Sequence, residues 1–331
     1  MKKVFVALLL CTCTTAIQAQ TIVSSDWISV KGTADSFKDD KAILEEQAQR
    51  EAIQSSFGSS IAFADYIKEY SSEYEKYNRF VEMCSELLDG VWKGYSKEPV
   101  FYSKTEEIFN KKGKPVKQEK WYCAVEGYAK RIQTIPANFE YRILDQNHQI
   151  IAEHCLKPSN NKNESERMAF TQNDLLKVQF RSTQSGYLML FLDDGNFSFR
   201  LLPYSRFIKK TDIAIQAEEW YDFFNRKKAQ YGHEDEVDEI VLSTDLPMDA
   251  FRLYFIFSQT PFTKNFYFLS DKDEKAKGIK VEEGVERLPT VESMDFAKWL
   301  QQNRMSKDDL QIAIIDLMID NKKATTCLPN K

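Results

Sequence analysis

The sequence is poor in the residues and motifs that most enzyme chemistry requires. Its 331 residues include only three histidines, His148, His154 and His233, and six cysteines without a CxxC pair. It also lacks a Gly-rich phosphate loop, a GxSxG nucleophile motif and an HExxH zinc motif. We therefore predict a non-catalytic protein, with no catalytic residue, no cofactor and no metal site.

The few candidate chemical groups have simpler explanations. His154 and Cys155 are neighbours in the sequence, and neighbouring side chains on a strand point to opposite faces, so a Cys–His pair is not expected. The acidic run at residues 233–239 lacks the glycine spacing of a calcium loop, which favours a solvated run of charges. A hydrolase is the least favoured alternative. Its two catalytic carboxylates are recognised by their separation in space, and the sequence does not single out such a pair among its 50 Asp and Glu residues.

The sequence has no clustered basic stripe and, beyond its N-terminus, no long apolar run. A net charge of −5 with 29% charged residues predicts a mildly acidic surface and disfavours nucleic-acid binding. No later apolar run approaches the roughly 20 residues that span a bilayer, so the mature chain is expected to be soluble or peripheral to a membrane.

Residues 1–19 have the features of a signal peptide. Two lysines precede an apolar run, and Ile17-Gln18-Ala19 resembles a signal-peptidase site with cleavage before Gln20. An exported protein is predicted, in the periplasm or associated with the outer membrane. A lipid anchor is not predicted, because it needs a cysteine preceded by a small residue, and Cys11 and Cys13 follow Leu10 and Thr12.

The mature chain keeps four cysteines, Cys84, Cys123, Cys155 and Cys327. Buried free thiols are favoured for them, and a Cys84–Cys123 bridge remains the alternative.

The abundant residues are aromatic, with 23 Phe and 15 Tyr, which argues for ordered cores. The length and pattern predict an α+β protein of two domains: a small α/β domain at residues 20–135 and a β-rich domain at residues 136–331.

The first domain is predicted as a strand, a helix, a long helix and a hairpin. The strand covers residues 27–32, and the helix is capped by Asp39 or Asp40 and ended by Gly58. The predicted apolar side of that helix comprises Ala42, Ile43, Ala48, Ala52, Ile53 and Phe57. The long helix covers residues 63–91 and is closed by Gly90 and Gly94, and strands at residues 100–109 and 119–131 form the hairpin.

Three tyrosines, Tyr70, Tyr74 and Tyr77, lie on the apolar stripe of the predicted long helix. A phenol prefers one wet edge, so this stripe is a candidate groove or coiled-coil seam for a partner. The simpler interpretation is a helix that packs on its own sheet, which is the usual role of an amphipathic stripe.

The second domain is built around residues 176–206. Leu176, Val178 and Phe180 alternate with polar residues, as in a strand with one wet face. Residues 187–192 are all apolar, which predicts a strand covered on both faces. The Asp-Gly and Gly-Asn pairs at residues 194–196 predict a tight turn, after which Phe197, Phe199 and Leu201 return on one face until Pro203 ends the strand.

The rest of this domain is predicted as short strands and one helix. A hairpin is expected within residues 139–151, further strands at residues 213–215, 239–243 and 252–258, and a helix at residues 294–303. The helix turns Phe296, Trp299 and Leu300 toward the core. Residues 310–319 are apolar enough for a closing strand, and a helix remains the alternative because periodicity does not separate the two.

Two resemblances to known families follow from these segments. The order VKGTA, LEEQAQREAIQSSFGSSI and KWYCAVEGYAKRI, over about residues 26–133, resembles the envelope domain of the flagellar assembly protein T and of lipoproteins of the LPP-twenty type. This resemblance implies a compact α/β domain used in assembly on envelope structures. The tyrosine-rich helix departs from that family, so a flagellar role is not carried over.

The second half, about residues 139–325, resembles the bacterial domain of unknown function 4384. The segments that carry this resemblance are DLLKVQFRSTQSGYLMLFLDDG, LLPYS, FRLYFIFSQTPF and MDFAKWLQQNR. Gly186-Tyr187-Leu188, Pro203, and Ser258 with Pro261 match its pattern, whereas Asp249-Ala250 replaces a usual glycine. The resemblance implies a β-rich module of secreted or envelope proteins, without a known activity.

Together these observations favour a non-catalytic interaction or assembly module of the bacterial cell envelope. An envelope protein is the expected partner, nucleic acid is not, and peripheral association with a membrane stays open. The alternative is a module that binds glycans or peptidoglycan through exposed aromatic rings. Trp220 and Tyr221 are the preferred candidates for that contact, with Tyr187 as a further one.

Overall fold

The structure is a computed structural model that describes residues 27–58, 87–109, 113–132, 135–156, 169–207, 209–228, 237–263, 267–270, 273 and 288–321. The fold is α+β, as the sequence predicts. Its N-terminal part contains strand β1 (Trp27–Ser36), helix α1 (Lys41–Phe57), strand β2 (Gly90–Phe109) and strand β3 (Pro115–Arg131). The three strands form an antiparallel sheet in the order β1-β3-β2, and α1 packs on one face of it.

Helix α1 begins and ends where the sequence predicts. The Asp40 carboxylate accepts the amide N–H of Ile43 at 3.2 Å, and Gly58 ends the helix with a φ of +75°. Its buried face differs from the prediction at the start of the helix, because Leu44 is buried whereas Ala42 and Ile43 are exposed. Leu44, Ala48 and Ala52 are four residues apart and therefore lie on one face of the helix, to which Ile43 does not belong.

Small residues bring α1 unusually close to the sheet. Ala48 and Ala52 are fully buried and lie against Gly32 of β1. A Cβ atom on Gly32 would lie 2.0 Å from the Ala48 carbonyl oxygen and 2.6 Å from the Ala52 amide nitrogen. Glycine is therefore required at this position for the helix to pack.

The region between α1 and the hairpin corrects the sequence prediction. The predicted long helix, including its tyrosine stripe, falls mostly on residues 59–86, which lie outside the described residues. Its predicted end is wrong, because Gly90 and Val91 already belong to β2 and pair with Arg131 and Lys130. Strand β2 thus starts ten residues before the predicted strand. Pairing with β3 takes priority here over the local helical spacing.

The C-terminal part contains two sheets and one helix. Their elements are β4 (Phe139–Leu144), β5 (Ile150–His154), β6 (Ala169–Thr171), β7 (Asp174–Ser182), β8 (Gly186–Asp193), β9 (Phe197–Leu202), β10 (Ile213–Ile215), β11 (Tyr221–Phe223), β12 (Ile240–Leu242), β13 (Met248–Ser258), β14 (Thr290–Glu292), α2 (Ser293–Ser306) and β15 (Gln311–Asp320). One sheet has the order β14-β9-β8-β13-β15-β6, with β10 paired to β8. The other has the order β11-β7-β4-β5, with β12 paired to β7.

Aromatic side chains fill the space between these two sheets. Phe139 and Phe180 of the second sheet meet Phe255 of the first, with ring centroids 6.2 and 6.1 Å apart. The predicted alternation on β7 is confirmed, since Leu176, Val178 and Phe180 are buried.

Strand β8 is covered on both faces, as predicted, because α2 packs on the face opposite to the second sheet. Phe191 of β8 lies 4.7 Å from the Phe296 ring of α2. The burial of Phe296, Trp299 and Leu300 is confirmed, and the closing segment is a strand, β15.

Strand β9 differs from the expectation of one buried face. Phe199 and Leu201 contact the main core as predicted, but Ser198 and Arg200 on the other face are buried as well. These two polar residues lie on the side of the sheet on which α2 packs. The alternation of apolar and polar residues along β9 therefore does not indicate a solvent-exposed face.

The N-terminal and C-terminal parts contact one another through the residues just before β2. Leu87 packs with the side chains around α2. The Arg304 guanidinium is 2.5 Å from the Asp89 carboxylate, and Gln301 donates to the Leu88 carbonyl at 2.9 Å. This junction is polar and largely buried, which fixes the start of β2 against the end of α2.

The thiols and the helices add two findings. Cys123 is a buried free thiol and Cys155 a half-buried one, so the alternative Cys84–Cys123 bridge is not formed. Cys84 and Cys327 lie outside the described residues.

Among the described residues, neither helix is long and apolar enough to cross a membrane.

Candidate functional site

The residues that the sequence singles out for contact do not form one site. Tyr70, Tyr74 and Tyr77 lie outside the described residues. Trp220 and Tyr221 lie at the edge of the second sheet and are half-buried. Tyr187 belongs to the first sheet and is also half-buried.

Trp220 is engaged by the protein itself. The guanidinium carbons of Arg142 and Arg181 lie 4.8 and 5.2 Å from its ring centre. Arg181 in turn donates to the Glu140 carboxylate through both Nε and Nη2. A sugar ring stacks on an open aromatic face, and these cations already occupy positions over the Trp220 ring.

Tyr221 is held by polar contacts in the same region. Its hydroxyl accepts the amide N–H of Gln216 at 2.9 Å and donates to Glu219 at 3.2 Å. Burial, together with the Glu219 charge, raises the pKa of this phenol. The Tyr221 side chain therefore stabilises the turn before β11. This structural role accounts for its contacts without a ligand.

A cleft lies between the N-terminal and C-terminal parts. Its volume is about 630 Å³, which is in the range of small-molecule sites. It is lined by Trp27, Val91, Lys130, Arg131, Ile132, Arg304, Met305, Lys307 and Asp308. Four of these residues are basic and one is acidic, so the lining keeps an excess of positive charge even though Arg304 is paired with Asp89.

The described lining of the cleft does not bring together the two carboxylates of a glycosidase. Asp308 is the one carboxylate in its described lining, whereas glycoside hydrolysis needs two. Lys307 lies near a hydroxyl, with its Nζ 3.2 Å from the Ser258 oxygen. Ser258 is fully buried, however, and its hydroxyl also contacts Asp309 and the Thr260 carbonyl. This cluster therefore fixes the turn after β13, and a substrate does not reach it.

The β2–β3 hairpin extends well beyond the third strand of its sheet. Ser36, the last residue of β1, pairs with Trp121. Beyond that point, residues 104–109 and 115–120 pair only with each other among the described strands. We call this ribbon, residues 104–120, the arm. Six residues at about 3.3 Å each give it a length of roughly 20 Å.

The base of the arm is held in a defined direction. The rings of Tyr102 and Tyr122 stack with centroids 5.0 Å apart, and the Lys104 ammonium lies 5.5 and 5.6 Å from the two ring centres. Lys120 forms an ion pair with Asp35 of β1 at 2.9 Å. The arm is therefore an ordered extension of the sheet at its base.

The end of the arm combines apolar and basic side chains. Phe109 is 74% exposed and Val116 43% exposed, although both are large and apolar. The arm contains six lysines, at positions 104, 111, 112, 114, 117 and 120, and three glutamates, at positions 106, 107 and 119. Exposed apolar side chains at the end of an extension mark a candidate contact surface, and the lysines give the arm a net positive charge.

No family model, curated protein or solved structure matches this chain. The two family resemblances in the sequence therefore stay predictions.

The hairpin is predictable from the sequence, whereas the arm is not. The arm depends on the difference in length between β1 and β2, and the sequence does not show this difference because Gly90 and Gly94, which belong to β2, resemble helix ends. The cleft left no sequence signal, because its lining comes from segments nearly 280 residues apart.

Proposed function

We propose that this chain is a non-catalytic exported protein that acts as an interaction or assembly module in the bacterial cell envelope. The arm is the observation that carries the proposal. A two-stranded ribbon is only marginally stable by itself in water, and its unpaired edges can accept a further strand. An arm of roughly 20 Å with an exposed Phe at its end fits a partner better than it fits an isolated protein.

The composition of the arm suggests the chemistry of the partner surface. Six lysines against three glutamates favour an acidic protein surface. Phe109 would fill an apolar pocket, since buried aromatic anchors dominate the energy of interfaces. Removal of such an anchor typically weakens binding by about 2 kcal/mol or more.

Site-specific crosslinking in cells tests this function. A photo-crosslinking residue replaces Phe109 or Val116 in the arm, and Val241 of β12, whose exposure lies between those of the two arm residues, serves as an apolar control. We expect a discrete adduct with an envelope protein from both arm positions and none from the control. The same adducts from position 241, or no adduct from the arm, would contradict the proposal.

A shortened variant gives an independent check. Ser103 and Trp121 are directly paired, so an Asn-Gly turn in place of residues 104–120 closes the hairpin with the rest of the sheet unchanged. The variant is expected to unfold at nearly the wild-type temperature and to lose the partner. If the shortened variant still bound the partner, the contact would lie on a surface other than the arm.

A ligand-binding module is the second candidate, and the cationic cleft is the observation that favours it. An anionic glycan, such as a carboxylate-bearing peptidoglycan fragment, matches the basic lining. The Lys93 ammonium lies 5.1 Å from the ring centre of Trp27, so Trp27 serves here as a fluorescent reporter within the lining. Titration with such fragments should change the fluorescence of the wild type and of Trp220→Phe, but not that of Trp27→Phe. An unchanged wild-type signal would exclude this function.

A further inference from the structure

Arg200, on the buried polar face of β9, is an arginine with an unusual environment. Its side chain is 2% exposed. Its Nη1 donates to the Lys210 carbonyl at 3.0 Å, and its guanidinium carbon lies 4.8 Å from the ring centre of Phe268. The guanidinium is therefore stacked on one side and held by a single hydrogen bond.

The other two nitrogens, Nε and Nη2, are buried and have no hydrogen-bond partner in the part of the chain that the structure describes. These two N–H groups lie on the same edge of the guanidinium plane. That edge is the fork which binds two oxygens of a carboxylate or phosphate side by side. Arg181 uses the same two nitrogens to contact Glu140 in this protein.

The surrounding charges do not neutralise Arg200. Asp238 is the carboxylate that acts on it electrostatically, but Asp238 accepts the amide N–H and the hydroxyl of Ser205 at 2.7 and 3.0 Å. Burial lowers the pKa of Arg200 to about 10, and the Asp238 charge only partly opposes this. Lys209 and Lys210 lie next to the site in the chain and are exposed, so they add positive potential there.

A structural role alone does not account for this arrangement. A buried charge is unfavourable unless it is paired and hydrogen-bonded, and arginines buried for structural reasons have carboxylate partners. Arg252 illustrates this, because it is fully buried and its Nε donates to Asp316 at 2.9 Å. In the described surroundings of Arg200 the corresponding fork has no carboxylate on it.

We propose that Arg200 is the anchor of a binding site for a small oxyanion, a carboxylate or a phosphate group. The oxyanion accepts Nε–H and Nη2–H side by side, while Phe268 and the Lys210 carbonyl hold the guanidinium plane in place. This site is separate from the arm and from the cleft, because none of its residues belongs to either. It does not depend on the proposed envelope function.

Unfolding midpoints of the mature chain, residues 20–331, test the site with two probes. Sodium phosphate and sodium acetate are titrated at constant ionic strength, with sodium chloride as the reference salt. We expect a saturable rise of the midpoint with at least one probe, because a ligand that binds the folded state stabilises it. The probe that binds more tightly distinguishes a phosphate ligand from a carboxylate ligand.

Three variants identify the residue. Arg200→Gln removes the charge and should abolish the saturable rise, and Arg200→Lys keeps the charge without the fork and should weaken binding about tenfold. Arg142→Gln is the matched control, since Arg142 also has a buried Nε without a hydrogen bond but lies on the second sheet. It should bind the probe as the wild type does.

A wild-type measurement covers the case in which the Arg200 variants do not fold. The ¹⁵N NMR signal of the Arg200 Nε–H group should shift during the titration, with the same dissociation constant as calorimetry gives. An equal effect of chloride, an unchanged response in Arg200→Gln, or an Nε–H signal that does not shift would each overturn the proposal.

Discussion

Asp193 leads to a prediction about how stability depends on pH. This residue ends β8 and is fully buried. Its carboxylate accepts the amide N–H of Gly195 at 2.7 Å and the hydroxyl of Ser198. Burial raises the pKa of Asp193 from 3.8 to about 6, although these two hydrogen bonds oppose the change. Below about pH 6 the folded protein therefore holds Asp193 mainly as the protonated acid.

The sign of the effect follows from proton binding. Between about pH 4 and pH 6 the folded state holds a proton on Asp193 that the unfolded chain has released, so stability falls as the pH rises through this window. A difference of about two pKa units corresponds to about 3 kcal/mol, at about 1.4 kcal/mol per unit. The stabilisation is complete below about pH 4 and lost above about pH 6.

Substitution Asp193→Asn removes the ionisation and keeps the shape of the side chain. We expect the variant to match the wild type at pH 4 and to exceed its free energy of unfolding by about 3 kcal/mol at pH 7.5. Urea unfolding at the two pH values measures both numbers. Asp245→Asn, at an exposed position, is the control and should change stability by less than about 0.5 kcal/mol at either pH. If the difference between Asp193→Asn and the wild type were equal at pH 4 and pH 7.5, the reasoning would be refuted.

Three further predictions concern packing, the junction and the thiols. Gly32→Ala should lower the free energy of unfolding by at least about 3 kcal/mol, because its Cβ would lie 2.0 Å from a helix carbonyl oxygen, whereas Gly94→Ala has open space and should be nearly neutral in the same urea assay. Arg304→Met should cost about 3–5 kcal/mol, because it removes the cation from a largely buried ion pair; a loss below about 1 kcal/mol in urea unfolding would contradict this. Cys123 should be alkylated at least about tenfold more slowly than Cys155 in the folded protein, because Cys123 is buried and Cys155 is only half-buried, and peptide mass spectrometry of timed samples measures the ratio.

The local elements of the fold were largely predictable from the sequence. The cap at Asp40 and the stop at Gly58 act through neighbouring backbone groups, so they can be identified in a short stretch of sequence. The alternation on β7 and the apolar run on β8 also report burial directly, because each position has one orientation on a strand. These signals were confirmed in the structure.

The errors occur where a distant segment decides the outcome. Val91 continued a helical spacing, but pairing with Lys130 places it in a strand. Ser198 and Arg200 alternate with apolar residues, and a solvent-exposed face would be the usual interpretation. A helix that begins about 90 residues later packs on that side of the sheet instead. No local pattern carries this information.

The amino-acid sequence by itself determined the fold class and most of the helices and strands, because propensity, capping and periodicity act over a few residues. It also determined that familiar catalytic motifs are missing. The tertiary structure decided the candidate sites: the arm exists because β1 is shorter than its partners, and the cleft exists because two distant parts meet. The fork of Arg200 is a candidate site because the fold buries it without a hydrogen-bond partner among the described residues. Strand length, packing between segments and burial are properties of the whole chain, and they place the groups through which we expect this protein to bind.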